Sequence, residues 1–410
     1  MPPSPRHLPN NPPLLKLPNP RQDLEAALTQ LLTRYPPKTH YHASECHGLY
    51  NGPTSLAYLF LHLSRWDPDL VIADEKNKKK LRPLEWCHRY LAGTRPLAAA
   101  VPPVDADHCG VANETLARLA VRAAATTGDE AAVERFLGVV REKGGLLLGS
   151  GAVAGGSCEW LYGRAGMLYL LRMMRSFVGS SGAAARLLDE AMREAVGTIL
   201  ALRGQGLRGW RWHGKRYLGA AHGVVGIVTQ CALSWDAGEG ELEGGPLREV
   251  LEQVLLLQRP DGNWLSRSDS QDRGEGEALV QFCHGAPGFV VSLMALLERN
   301  CFPSLQPQIE AAVQRARGVV WQRGLLVKEP CLCHGISGNA LALEGEQREH
   351  FLAYTTVEAV SKGQRERIFG ESSDSWGLYG GLAGRVWGLL ELAREREGRD
   401  KGGFIGYCDV

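Results

Sequence analysis

Apolar residues recur at helical spacing in segments that each follow a closely spaced pair of glycines. Two clear cases are LYGRAGMLYLLRMM at 161–174 and YGGLAGRVWGLLELA at 379–393. A second helical pattern lies between such segments, as in REVLEQVLLLQ at 248–258 and QIEAAVQRARGVV at 308–320. Alternation typical of strands is scarce, so the pattern predicts an array of helix pairs.

The glycine pairs have the form G-x-x-G and define seven repeat units, whose first glycines are 46 to 62 residues apart. Five copies are complete, and the first two carry Ser55 and Asn113 in place of the second glycine. The first glycines of the seven units are Gly52, Gly110, Gly163, Gly223, Gly285, Gly335 and Gly381.

An array of helix pairs can form an open solenoid or a closed ring. Glycine permits tight turns and close backbone approach, so a glycine turn before every inner helix favours a ring in which the turns meet. We therefore predict an all-α fold, an α/α toroid of seven inner and seven outer helices. The proline-rich residues 1–20 are expected to be an extended tail, disordered unless docked, and residues 21–410 a single domain.

The 410 residues carry a net charge of +1, which gives no electrostatic reason to expect nucleic acid or a membrane surface as a partner. No stretch approaches the roughly 18 consecutive apolar residues of a membrane span. The N-terminus lacks the apolar region of a signal peptide, so we expect a cytoplasmic protein. In that compartment the ten cysteines are expected to be thiols, ligands or core residues.

A Cys-His-Gly step occurs twice in the same frame, in QFCHGAPGF and in CLCHGISGNA. These small residues could serve packing alone. Alternatively, Cys283, Cys333 and His334 converge on one Zn²⁺ ion with an open fourth position, since zinc prefers Cys and His ligands in tetrahedral geometry. His284 could not easily join that set and is a candidate proton carrier beside it.

Other Cys-His pairs lack the turn that follows these two. Cys46–His47 and Cys87–His88 do not precede a G-x-x-G turn and are expected to play no part in metal binding. Cys331 is out of register with Cys283 and is expected to be structural. The motif loops show no convincing carboxylate pair of the kind that a toroidal glycosidase would need.

The segments HGVVGI, CHGAPG, CHGISGN and LYGGLAG resemble the lanthionine synthetase C-like family over about residues 40–395. The resemblance implies the toroid and one zinc ion per chain, held by Cys283, Cys333 and His334. It also implies addition of a thiolate to dehydroalanine or dehydrobutyrine. Bacterial members are lanthipeptide cyclases, and animal members bind glutathione.

The resemblance also implies two groups for proton transfer. His222 in AAHGVVGI matches a family histidine assigned to acid/base work, and the alternative is a satisfied loop histidine. Glu159 stands where bacterial cyclases have an aspartate, and the alternative is a helix-capping or surface carboxylate.

Smaller features resemble the animal members. His284 replaces a tyrosine of the bacterial cyclases, and Lys328 and Arg6 match residues that contact glutathione. One departure is that a further glutathione-contacting arginine has Gly370 in its place, with Arg367 close by.

These features support zinc-dependent addition of a thiol, glutathione above all, to dehydroalanine or dehydrobutyrine residues in peptides or proteins. Two alternatives stay open. One is a non-catalytic zinc- and glutathione-binding scaffold or sensor, and the other is a lanthipeptide cyclase.

Overall fold

The computed structural model consists mainly of helices, numbered below in chain order. It describes residues 6–11, 13–74, 78–94, 102–127, 129–142, 155–179, 182–204, 209–235, 242–269, 278–369, 376–399 and 403–409. Seven helices form an inner ring: α2 (Pro53–Trp66), α4 (Glu114–Ala125), α6 (Arg164–Phe177), α8 (Val224–Leu233), α10 (Ala286–Glu298), α12 (Ile336–Leu341) and α15 (Leu382–Arg396).

Each inner helix packs against an outer helix. The outer helices are α1 (Pro20–Arg34), α3 (Pro83–Ala92), α5 (Glu130–Glu142), α7 (Ala183–Ala201), α9 (Pro246–Leu256), α11 (Gln306–Arg323) and α13 (Gly345–Ala353), while α14 (Val357–Arg365) lies against α1. Neighbouring inner helices contact one another all the way round, and α15 returns to α2. The predicted toroid of seven inner and seven outer helices is confirmed.

Burial distinguishes the two rings. In α8 every residue except the last is buried, as expected of a helix that is apolar all round. The outer helix α11 buries one face only, at positions three or four residues apart, through Ile309, Ala312, Val313, Ala316, Val319 and Val320. The inner helices therefore form the core, and the outer helices shield it.

The turns before the inner helices bond to one another and close the ring. The carbonyl two residues before the cap of each inner helix lies at the contact with a neighbouring turn. These carbonyls belong to Tyr50, Val111, Leu161, Ala221, Cys283, Cys333 and Tyr379. Six of them accept an N–H from a neighbouring turn at 2.8 to 3.2 Å, and the Cys283 carbonyl packs against Gly219. Residues far apart in sequence thus meet at one end of the toroid.

The second glycine of each complete G-x-x-G unit is required by close approach. A Cβ added at Gly166 would lie 1.9 Å from the carbonyl oxygen of Trp160, six residues earlier. The same clash with the carbonyl six residues back, at 1.9 to 2.3 Å, would occur at Gly226, Gly288, Gly338 and Gly384. A side chain there would push the turn off its helix.

The predicted start of the inner helix in the second unit is wrong by three residues. Gly110 does not cap α4; Asn113 does, with its side-chain oxygen accepting the Leu116 N–H at 3.0 Å. An asparagine side chain can accept a free N–H of the first helical turn, whereas glycine has no side chain to do so. The helix therefore begins after Asn113 and not after Gly110. Cys109 therefore has no equivalence to the residues that precede the other caps.

Two segments outside the helices matter for the architecture. Within the charged insertion after α2, β1 (Ile72–Asp74) pairs antiparallel with β2 (Lys79–Leu81), with Ile72 opposite Leu81. Residues 403–409 enter the middle of the ring, where the Asp409 carboxylate accepts hydrogen bonds from Tyr58 and Tyr169 on two inner helices. This segment fills the interior that seven helices leave open.

The N-terminal tail is docked. The Leu8 N–H donates to the Leu325 carbonyl at 2.7 Å, and the Val327 N–H donates to the Arg6 carbonyl at 3.2 Å. These bonds place the tail beside the chain that leads to Cys333.

None of the described helices combines the length and apolar character needed to cross a bilayer.

Replacing Gly166 with alanine should destabilise the protein by about 3 kcal/mol or more, because the new methyl group overlaps a backbone carbonyl that cannot move freely. Gly197→Ala on α7 is the matched control, since nothing lies within 4 Å of its added Cβ. That variant should be stabilised by about 0.5–1 kcal/mol. Urea unfolding of both variants measures the difference, and equal stabilities would contradict the close-approach argument.

Candidate metal centre and active site

Cys283 and Cys333 hold equivalent positions in adjacent turns, two residues before the caps Gly285 and Gly335. The Cys283 N–H donates to the Cys333 carbonyl at 3.2 Å. Both side chains are buried, and their sulfurs are close enough to share a hydrogen bond. The repeat therefore brings two thiols from different units into contact.

The two thiols differ in acidity. The pKa of Cys283 is lowered, chiefly because its thiolate accepts the S–H of Cys333, while burial opposes this effect. The pKa of Cys333 is raised by the same hydrogen bond and by burial. The hydrogen bond between the sulfurs thus favours a single negative charge shared by the pair.

Two further side chains donate hydrogen bonds to these sulfurs. Gln281 Nε2 lies 3.0 Å from Cys283 Sγ, and the Tyr50 hydroxyl bonds to Cys333. Lys328 Nζ donates to Gln281 Oε1 at 3.1 Å, which brings its positive charge to the edge of the site. Donors around a thiolate are the outer contacts that tune a metal ligand.

His334 follows Cys333 in the same turn and is half-buried. Its pKa is lowered by burial and by the charge of Lys328, so it stays neutral, as a metal ligand must be. Two thiols and a neutral imidazole match the donor set of zinc. Among the described residues, no three His, Cys, Asp or Glu side chains already form a group that could hold a metal ion.

Glu159 and His222 form a second pair at the turns of the third and fourth units. Glu159 is buried and accepts the backbone N–H groups of Leu161 and Tyr162. Ser157 Oγ also donates to this carboxylate at 3.4 Å, and His222 Nδ1 lies 2.8 Å from Glu159 Oε2. Since the carboxylate accepts the Nδ1 proton, the neutral ring has its lone pair on Nε2, as a general base requires.

Aromatic rings fix the plane of His222. Trp212 stacks on it with centroids 3.9 Å apart and an angle of 4°. Tyr162 lies parallel to both rings, at 6.2 Å from His222 and 6.0 Å from Trp212. The Glu159 contact and the stack together leave the imidazole little freedom to turn.

His284 follows Cys283 of the cysteine pair and lies near His222 of the Glu159–His222 pair. Its ring centroid lies 6.0 Å from that of His222 and 5.5 Å from that of Tyr217. Burial, with smaller contributions from His222 and Lys328, lowers the pKa of His284 to about 4. At neutral pH it is therefore an uncharged imidazole.

The candidate glutathione residues lie together on one side. The tail places Arg6 next to Val327, and Lys328 follows directly. Both side chains are exposed. Arg367 is exposed at the end of α14, and Gly370 lies outside the described residues.

Sequence reasoning missed Gln281, Tyr50 and Trp212. Tyr50 could have been found, because it stands two residues before its cap Gly52, as Cys283 does before Gly285. Nothing in the sequence marks Gln281 or Trp212. The Cys46–His47 and Cys87–His88 pairs take no part in the contacts described above.

Comparison with known proteins agrees with this architecture. The LanC-like protein GCL1 of Arabidopsis thaliana is 30% identical over 296 residues, 68% of this chain and 62% of its own length. The Glutathione S-transferase LANCL1 of Danio rerio is 28% identical over 255 residues, 57% of this chain and 58% of its own length. The matches thus span about six-tenths of either relative.

A solved structure and a family model extend the comparison over most of the chain. Nisin cyclase superposes with a TM-score of 0.60 at 13% identity, covering 92% of this chain and 95% of its own, which shows a common fold. The model of the Lanthionine synthetase C-like protein family matches residues 47–399. The chain, with its closed ring of glycine turns and its paired cysteines, belongs to the lanthionine synthetase C-like family.

Proposed function

We propose that this protein adds a thiol, glutathione above all, to dehydroalanine or dehydrobutyrine residues of peptides or proteins at a zinc centre. The observation that carries the proposal is the contact between Cys283 and Cys333 at one end of the ring, with His334 adjacent and His222 within the same cluster of turns. The names of the relatives, a glutathione S-transferase and a cyclase, agree with formation of a carbon–sulfur bond.

Cys283, Cys333 and His334 would hold the zinc ion. When bound, zinc supplies a Lewis acid that lowers the pKa of a thiol substrate and favours its thiolate at neutral pH. Gln281 and Tyr50 donate hydrogen bonds to the two cysteine sulfurs and keep them in place. Lys328, and Arg6 on the docked tail, provide positive charge for the carboxylates of glutathione.

The addition conserves atoms and needs no oxidant. The sulfur forms a bond to the β-carbon of the dehydroamino acid, and the π electrons move toward the neighbouring carbonyl. His222 takes the thiol proton at Nε2 and returns one to the α-carbon. Glu159 holds Nδ1–H throughout and stabilises the charged ring formed between these steps. Neutral His284 would donate a hydrogen bond to the developing oxyanion.

Purified protein should contain about one zinc ion per chain, which Cys333→Ala and Cys283→Ala should lose. Cys331→Ala is the matched control, because Cys331 is a fully buried thiol two residues away whose pKa is raised to about 12. It should keep the metal. Atomic absorption on the folded variants gives the answer, and zinc retained by Cys333→Ala would refute the ligand set.

His222→Asn and Glu159→Gln should lower turnover of glutathione with a dehydroalanine peptide by about a hundredfold to ten-thousandfold. Zinc content and glutathione affinity should be unchanged, because neither residue is assigned to those contacts. His88→Asn, an exposed histidine on α3, is the control and should be fully active. A wild type that binds zinc and glutathione but forms no adduct would favour the non-catalytic scaffold instead.

Lys328→Gln should raise the Kd for glutathione about tenfold, because a charge-assisted contact to a carboxylate is lost. Cysteamine, a thiol without carboxylates, should bind wild type and variant equally. Calorimetry with both thiols distinguishes a contact between Lys328 and a glutathione carboxylate from an effect of Lys328 on the cysteines through Gln281. Equal weakening of both would show that Lys328 acts through Gln281 on the cysteines and holds no carboxylate.

A further inference from the structure

A buried histidine far along the chain bonds to the docked tail at two points. His350 on α13 lies 2.8 Å from the Leu15 nitrogen through Nδ1 and 2.9 Å from Asn10 Oδ1 through Nε2. Asn10 Nδ2 in turn donates to the Trp321 carbonyl at 2.7 Å. The imidazole thus bonds the tail to α13 at two points, and Asn10 bonds it to α11 as well.

The donors in this chain of bonds specify one protonation state. The Leu15 N–H can only donate, so Nδ1 must offer a lone pair. Nε2 then carries the proton and donates a hydrogen bond to Asn10 Oδ1. The Asn10 NH₂ group is therefore free to donate to the Trp321 carbonyl. Every group is satisfied only when His350 is neutral.

The surroundings of His350 also favour the neutral ring. Its side chain is 1% exposed and lies among the rings of Trp321, Phe351 and Tyr354. The charged groups of neighbouring elements are paired with one another: Lys16 of the tail with Glu346 and Glu349 of α13, and Arg396 of α15 with Glu349. Burial lowers the pKa of His350.

We propose that His350 is a positioning residue: in its neutral form it latches the N-terminal tail to the body and so keeps Arg6 beside Lys328. The role assigned to Arg6 rests on the proposed function, whereas the latch itself does not. The link is short, because Asn10 is only four residues from Arg6 and residues 6–8 pair with 325–327.

Protonation of His350 would oppose the latch. An added Nδ1–H would face the Leu15 N–H, so two donors would meet and one bond would be lost. Release of the tail would uncover the His350 ring and return its pKa toward the ordinary histidine value near 6.5. Docking is therefore fully favoured above about pH 6.5 and weakens as pH falls below that value through the lower pKa of the docked ring.

The test is amide hydrogen exchange in the peptide covering residues 6–17, measured on the full chain and normalised to the intrinsic rate at each pH. His350→Phe fills the aromatic pocket but makes neither bond, so protection should fall about tenfold to a hundredfold at pH 7.5. Asn10→Ala, which leaves the body untouched, should weaken protection in the same peptide.

Acidification separates the latch from general packing. In the wild type, normalised protection of residues 6–17 should fall between pH 7.5 and 5.5. His350→Asn offers a non-titrating oxygen to the Leu15 N–H, so its protection should change less over the same interval. Unchanged protection in both His350→Phe and Asn10→Ala, or an equal pH response in wild type and His350→Asn, would overturn the latch.

A second measurement tests the consequence for the ligand. The Kd for glutathione at pH 7.5 should rise about threefold or more in His350→Phe, since a smaller fraction of molecules has Arg6 in place. In an Arg6→Ala background the same change should have no effect. Lost protection with unchanged affinity would retain the latch and reject its positioning role. A zinc-loaded wild type that binds no glutathione would refute the proposed function, while exchange still decides the latch.

Discussion

The close packing of backbone against backbone at one end of the ring is the constraint on which this protein depends. Seven turns can meet there only if their Cα atoms approach neighbouring carbonyls without an intervening side chain. A Cβ at Gly110 would lie 2.5 Å from the Leu161 carbonyl oxygen of the neighbouring turn, and one at Gly219 would lie 2.4 Å from that of Cys283, so little room is left. Because the turns bond through their carbonyls, the positions beside them are fixed to one another, even where they are as far apart in sequence as Tyr50 and Tyr379.

That constraint decides where chemistry can be placed. The residues one and two positions before each cap lie beside these backbone contacts. His334 and His222 stand directly before their caps, and Cys283 stands two residues before its cap. Gln281 of the same turn donates to Cys283, and Glu159 of the neighbouring turn bonds to His222. A rigid ring of main-chain bonds therefore substitutes for the long-range packing that usually holds an active site together.

The sequence predicted the toroid and the meeting of Cys283 with Cys333 because both follow from a period and a register. It failed where a side chain changed that register: Asn113 caps its helix and moves the second turn by three residues. It also failed for Trp212 and Gln281, whose contacts depend on how a loop folds back across the site, and no periodicity encodes that path. Tyr50 stands at the same register position as the two cysteines, two residues before its cap, so the same register argument reaches it.

Glu159 and His222 are held by the ring, whereas Arg6 is held by the docked tail. The residues proposed for proton transfer are thus positioned independently of a residue proposed to bind the ligand. Glu159 and His222 belong to the ring itself, so their geometry persists as long as the fold does. Arg6 instead lies on a tail that is held to the body by hydrogen bonds, two of which come from one imidazole. Binding of an anionic ligand can therefore change with the state of the tail while the reacting groups stay in place. Under the proposed function, one toroid could thereby keep the same thiol chemistry while segments outside the ring vary the substrate.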